Sequence, residues 1–295
     1  MTIRLLAAGL VTIATPALAD TPVLTVLTYD SFLSEWGPGP AVEAAFEAEC
    51  ACDLRLVGGG DGAALLARVQ LEGAGTDVDV VLGLDTSLTA AATATGLFAP
   101  HGLADATGLP ITYADPLFLP YDWGWFAFVH DRKLENPPTS FTELAESDLR
   151  VVIQDPRSST PGLWSEAYGL FLAGEADLVL SYTTSPAYHL IAEGDDTKAA
   201  ALFDEGHYLQ IEVAGKLASS DQPELADRFL AFLLSDAVQS VIPETNWMYP
   251  AELPSAGLPR GFDQFRPASS LYLSPDAAAS VRDAALAEWQ AALTR

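Results

Sequence analysis

Histidine, cysteine and methionine are nearly missing from this chain: four, two and two among 295 residues. Too few soft ligands remain for a zinc ribbon or a Cys/His cluster. His101, His130, His189 and His207 form no H-E-x-x-H pattern and no histidine pair at i, i+4, and no C-x-x-C occurs. Cations are scarce as well: 14 Lys and Arg stand against 40 Asp and Glu, a formal net charge of -26 at pH 7. That balance excludes a general nucleic-acid binder, because phosphate contacts need Lys and Arg. Gly-x-Ser-x-Gly is absent, so nothing supports a hydrolase elbow. The run Gly58-Gly59-Gly60-Asp61-Gly62 matches neither G-x-G-x-x-G nor a P-loop. No carboxylate pair stands out among the forty acids.

What is present is apolar bulk. Hydrophobic residues make up 49% of the chain and charged ones only 18%, which supports a large core and excludes intrinsic disorder. The length fits two domains or one large one. So negative a field favours small cationic ligands and repels anionic surfaces, although an acid excess also serves solubility alone.

Residues 1–19 read as a secretory signal peptide. Arg4 supplies the positive start, the apolar stretch from Leu5 to about Ile13 is too short to span a bilayer, and Ala17-Leu18-Ala19 is an A-x-A cleavage site. Cleavage there removes one Arg and no acid, moving the net charge from -26 to -27. No later stretch is long and apolar enough for a membrane helix, and no lipobox cysteine follows the cut. The expected compartment is therefore the bacterial periplasm, with a soluble mature protein. For Cys50 and Cys52, separated by one residue, the reading adopted is two small half-buried side chains between a helix and a strand, over a disulfide or a metal site.

Helix and strand patterns alternate along the mature chain. Strands are expected at 23–29, 53–57 and 77–84, and helices at 40–50, 63–72 and 86–95. A β-α-β-α-β order of this kind makes a mostly parallel sheet flanked by helices. Phe118 to Asp131 is rich in aromatics and long enough to cross between two lobes. Ser140-Phe141-Thr142-Glu143 is a capping box. Further strands are expected at 150–154, 177–181 and 208–213. A helix at 221–234 has Asp221 as N-cap, and an amphipathic helix at 274–293 follows Ser274 and Pro275. Two α/β lobes joined by strands suit a hinged clamp on a small ligand.

Four segments place polar or aromatic groups at strand ends, where open α/β sheets bind ligands. The first is Tyr29 to Phe32. The second is Gly60-Asp61-Gly62, where Asp61 either faces an amine or caps the next helix. The third is Asp155 to Gly162, whose hydroxyls could hold an anion or a hydroxyl or form a capped turn. The fourth is Ser181 to Tyr188. Tyr121, Trp123, Trp125, Trp164, Trp247 and Tyr249 lie at element ends; singly each suits a core, and together they suit an aromatic box for a cation.

At these residues the chain resembles the periplasmic thiamine-binding protein family of bacterial ABC transporters. The likeness is carried by residues 27–32, 35–40, 79–85, 154–157, 164–169, 178–189, 206–210 and 246–250, and it covers almost the whole mature chain. The resemblance implies a two-lobed periplasmic binding protein fold of type II, each lobe a mostly parallel sheet flanked by helices and joined by hinge strands. Residues 20–118 with about 214–270 form lobe 1, and 119–213 with about 271–295 form lobe 2. It further implies capture of thiamine or its phosphate esters, delivery to an inner-membrane permease with its ATPase subunit, a monomer, no catalytic residue, no metal and no cofactor. Asp61 and Gly62 would meet the aminopyrimidine. Ser159 and Thr160 would sit near the hydroxyethyl or phosphate end. Trp164, Tyr182, Thr183, Thr184 and Ser185 would line the cleft, with Tyr29 and Trp247 as ring partners.

One departure from the pattern matters. Family members carry a helix and a further strand between the Ser-Thr-Pro-Gly-Leu turn and the Trp-Ser-Glu-Ala-Tyr segment, whereas here Leu163 joins Trp164 directly. Ser159 to Trp164 spans at most ~18 Å, so lobe 2 is expected to lose a layer that covers its sheet. Two other functions belong to the same fold. A thiamine-degrading enzyme of the same fold needs a cysteine nucleophile in the cleft, and a ferric iron or polyamine-binding relative would use tyrosines such as Tyr29, Tyr182 and Tyr188. Trp164 is expected to matter more for binding than Trp289, placed on the final helix against the core.

Overall fold

The computed structural model describes residues 21–157, 163 and 165–293. The signal segment, Ser159, Thr160 and Trp164 lie outside the described residues. β1 (Val23–Thr28) is followed by α1 (Gly39–Cys50), β2 (Asp53–Gly58), α2 (Gly62–Glu72), β3 (Val80–Asp85) and α3 (Thr89–Ala94). β1 lies between β2 and β3 and runs parallel to both. Its residues 24–28 are all buried, the signature of a strand covered on both faces.

β4 (Phe98–Ala99) leads to β5 (Phe118–Asp131), the long aromatic strand at the bounds its composition predicts. Lobe 2 continues with α4 (Phe141–Glu146), β6 (Val151–Val152), α5 (Glu166–Leu172), β7 (Leu178–Tyr182), α6 (Ser185–Ala192) and β8 (Lys198–Ala201). β9 (His207–Leu217) returns to lobe 1. Residues 118–125 of β5 pair antiparallel with β9, and residues 126–131 pair with β7 and β8. β9 in turn pairs antiparallel with β3. The two lobes are thus joined by continuous antiparallel strands, and the parallel pairs are those of β2, β1 and β3, those of β6 and β7, and a short one at the start of β9. α7 (Pro223–Leu233), α8 (Asp236–Gln239), α9 (Ile242–Thr245), β10 (Tyr249–Pro250), β11 (Ser270–Leu271) and α10 (Pro275–Leu293) complete the chain.

Three local expectations need correction. Cys50 and Cys52 form a disulfide, with Cα atoms 5.1 Å apart. The helix ends between them, because Ala51 adopts a left-handed conformation (φ 54°) that turns the chain and lets both thiols meet. The N-cap position of α7 is held by Gln222, not Asp221, and its side chain makes no capping hydrogen bond, since the chain becomes helical only at Pro223. α10 has the predicted length but buries only Ala278, so it lies on the surface and not in the core. Trp289 is half-buried there, with the Arg157 guanidinium 5.5 Å above its ring.

The core is uneven. One large cluster fills lobe 1 and the joining strands, while lobe 2 has a separate small one of Val129, Ala167, Tyr168, Phe171 and Val179. Val151, Ile153, Leu170 and Leu172 around it are exposed. An uncovered apolar surface at β6 and α5 is what the shortened segment before Trp164 predicts.

Candidate functional site

Where the lobes meet, a cleft of about 660 Å³, open mouth included, is lined by Tyr29, Ser31, Asp61, Gly62, Gly83, Asp85, Leu163, Tyr182, Ser185, Gln210, Glu212 and residues 246–248. Lobe 1 contributes the ends of β1 and β3 and the start of α2, lobe 2 contributes the end of β7 and start of α6, and β9 forms the floor. The strand ends therefore converge as the alternating pattern requires.

Asp61 occupies the N-cap position of α2, yet its side chain makes no capping hydrogen bond; its backbone carbonyl receives Ala64 and Leu65 instead. The carboxylate is left facing the cleft beside Gly62. One edge of the Tyr29 ring lies against Gly83, where a Cβ would come 2.2 Å from it and where φ is +102°. Glycine is required on both counts. The Tyr29 hydroxyl accepts from Asn246 Nδ2 at 3.0 Å and lies 3.3 Å from the Tyr121 hydroxyl. Trp247 has a left-handed backbone (φ 56°) at the end of α9, an uncommon conformation for an aromatic residue. Its carbonyl accepts from Thr184 Oγ1 at 2.5 Å, and its indole meets Tyr188 edge-on at 5.2 Å.

Tyr182 donates to Gln210 Oε1. Ser185 Oγ accepts from the Tyr182 amide at 3.1 Å and lies 2.7 Å from Ser181 Oγ. Thr183 and Thr184 are buried behind this wall and do not line the cleft. Of the residues singled out in the sequence, Tyr29, Asp61, Gly62, Tyr182, Ser185 and Trp247 come together in one cavity. Trp123, Trp125 and Tyr249 instead pack on one another, Trp123 stacked on Tyr249 at 4.3 Å, and stand apart from the cleft lining.

The acids of the floor escaped sequence reasoning. Glu212 lines the cleft, and Tyr121 donates to its Oε2 at 2.5 Å. Burial pushes the Glu212 carboxyl up to about 7, with Asp85 and Asp61 adding to the rise. Directly opposite on β5 stands Asp122, fully buried, its Oδ2 receiving Asn246 Nδ2 at 2.5 Å. Burial, and after it the Glu212 charge, hold Asp122 well above the usual carboxylate range. Burial likewise raises Asp85. The only sequence sign was a glutamate and an aspartate interrupting apolar strands, and β-alternation alone does not say which faces a cavity.

No Lys, Arg or His is among the described residues that line this cleft. Chemically it is a set of carboxyls and aromatic faces suited to a flat cation. The one group of potential metal ligands among the described residues, His189, Glu193 and Asp195, lies around the C-terminal end of α6. His189 is already engaged there, by Glu193 at 2.7 Å and by Tyr168 at 2.9 Å. Cys50 and Cys52 are bonded to each other, on lobe 1 and outside the cleft lining. No helix among the described residues is long and apolar enough to cross a membrane.

No family model matches the chain. The thiamine-binding periplasmic protein of Salmonella typhimurium is 51% identical over 318 aligned positions, covering 96% of each chain. Those positions outnumber the 295 residues here, so the relative carries residues with no counterpart in this chain. The protein of the same description from Brucella suis is 46% identical and covers 95% of each chain. A solved periplasmic thiamin binding protein superposes with a TM-score of 0.88 at 50% identity, covering 97% of this chain and all of that one. Iron-bound HitA from Pseudomonas aeruginosa shares the fold at a TM-score of 0.71 but only 18% identity, with 90% of this chain covered. With half its residues identical across almost its full length, and with the two-lobed type II fold in common, the chain belongs to the family of thiamine-binding periplasmic proteins.

Proposed function

We propose that this protein is a periplasmic receptor that captures thiamine, free or as a phosphate ester, between its lobes and hands it to an inner-membrane ABC permease and its ATPase. The observation that carries the reading is the cleft itself: Asp61, Asp85 and Glu212 among Tyr29, Tyr182 and Trp247, with no cationic side chain among its described lining residues. A thiazolium ring needs negative potential and aromatic faces, each face contributing ~0.5–2 kcal/mol. An aminopyrimidine needs donors and acceptors, which Asp61 and the Gly62 backbone supply. Ser159, Thr160 and Trp164 belong to the same proposal, at the hydroxyethyl or phosphate end.

The names of the relatives, all thiamine-binding periplasmic proteins, support ligand and compartment alike. Residues 1–19 are the proposed export signal and the mature protein a monomer. The proposed lobes are 20–118 with about 214–270, and 119–213 with about 271–295, with β5 and β9 paired along their junction. A non-catalytic role is favoured over a thiaminase because both thiols are consumed in a disulfide, leaving no cysteine nucleophile for the cleft.

Calorimetric titration of the full mature chain with thiamine tests the reading. Saturable one-to-one binding in the micromolar range or tighter, with the thiamine recovered intact by chromatography, is expected. No heat and no change in Trp fluorescence at micromolar thiamine would overturn it. Cleaved thiamine would favour the enzyme.

A further inference from the structure

Glu212 and Asp122 stand directly opposite each other on β9 and β5, the strands that join the lobes. Ionising both would set like charges against each other across the strand pair, one of them on the fully buried Asp122. No cationic side chain among the described residues lining the cleft neutralises them. The groups facing Glu212 are Tyr121 and Asp122 from β5, Tyr29 after β1, Asp85 at the end of β3, Asp61 at the start of α2 and Tyr182 from β7. Every one is an acid or a phenol. Arg282 of α10 is felt at Asp85, and it is not among the groups lining the floor. The two carboxyls differ in access. Asp122 is sealed, with Oδ1 lacking any hydrogen-bond partner, whereas Glu212 opens on the cleft. A buried anion with an unpartnered oxygen is prohibitively costly, so Asp122 stays neutral.

We propose that Glu212 is a switchable counter-ion, protonated while the cleft is empty and giving that proton to solvent when a permanently cationic ring settles against it. Glu212 then selects for charge: a cation stabilises its ionised form, and a neutral molecule of the same shape does not. Asp122 remains uncharged behind it throughout. Its Asn246 partner also holds the Tyr29 hydroxyl, which keeps the ring wall in place while the floor changes charge. The step is a simple ionisation: the carboxyl O–H breaks, the proton passes to water or buffer, and the carboxylate pairs with the incoming cation.

This inference rests on the thiamine-binding reading, and the test separates the two. The full mature chain is titrated calorimetrically with thiamine at pH 6, 7 and 8, in buffers of different ionisation heat. With Glu212 at about 7 in the empty protein, release of about 0.9 proton at pH 6 is expected, falling to about 0.1 at pH 8, with affinity about tenfold tighter at pH 8. Glu212→Gln should release no proton and show flat affinity, and Asp122→Asn should still release it. An uncharged isostere, with carbon replacing the quaternary nitrogen, should bind without proton release in the wild type. Thiamine binding with no proton release and no pH dependence in the wild type would overturn the counter-ion while leaving the receptor intact. Loss of proton release in Asp122→Asn would move the switch to Asp122 and overturn it too. Absence of thiamine binding at every pH would overturn both readings.

Discussion

Single atoms decide how the cleft is shaped. Gly83 is the sharpest case, because its missing Cβ is the space the Tyr29 ring occupies and its φ of +102° disfavours any side chain. Gly83→Ala is expected to destabilise the protein by about 1–3 kcal/mol and, by expelling Tyr29, to weaken thiamine binding at least tenfold. Thermal denaturation and calorimetry on the same sample check both effects. Asp61→Asn keeps the shape and removes a charge that its helix does not use as a cap, so its cost should fall on binding and leave the melting temperature unchanged. Glu212 also marks stability. Its folded value of about 7 lies above the ordinary glutamate value of 4.5. The unfolded chain therefore ionises first as pH rises, and the empty protein loses stability from about pH 4.5 through 7. Melting curves of wild type and Glu212→Gln should diverge over that window, with the wild type falling more steeply.

At the scale of elements, caps and crosslinks hold pieces that have little core of their own. Ser165 starts α5 by accepting the Tyr168 amide at 3.2 Å, and it also receives Gln154 Nε2 at 2.6 Å. Because α5 packs on the small lobe 2 cluster, Ser165→Ala should cost about 1–2 kcal/mol, seen as a lower melting temperature. The Cys50–Cys52 bond closes a very short loop, for which chain-entropy arguments give only about 1–2 kcal/mol. The double replacement by alanine should lower the melting temperature by a few degrees and leave thiamine affinity unchanged, because neither cysteine lines the cleft. The capping box at Ser140 was legible in advance, and Ser140 Oγ does accept from the Glu143 amide at 3.0 Å. The surface position of α10 was not, since its small Ala-rich face suits shallow contact as well as deep burial.

Over the whole molecule, the charge of -26 sets both attraction and cost. It draws a cation toward the cleft and strains the fold by self-repulsion. Raising the salt from 10 mM to 0.5 M should therefore raise the melting temperature of the empty protein while weakening thiamine binding, because screening acts on both. Lobe 2 has the thinner core and an uncovered apolar surface around β6 and α5, so hydrogen exchange should show it opening before lobe 1.

The β-α-β-α-β order of the first lobe, the long crossing strand and the aromatic strand ends were written in the linear sequence, because periodicity, caps and turn residues act over a few neighbouring positions, whereas α5, α6 and β8 were not foreseen. The contacts that build the cleft floor were not. Tyr29 meets Asn246 across 217 residues, and Asp122 meets Glu212 only through the register of two strands from distant parts of the chain. The same limit hid the disulfide: spacing alone left the thiols free, and the left-handed turn at Ala51 brought them together. Local propensity chooses the elements. Which side chains share a buried, poorly hydrated space, and so which of forty acids changes its proton affinity, is decided only when the elements pack.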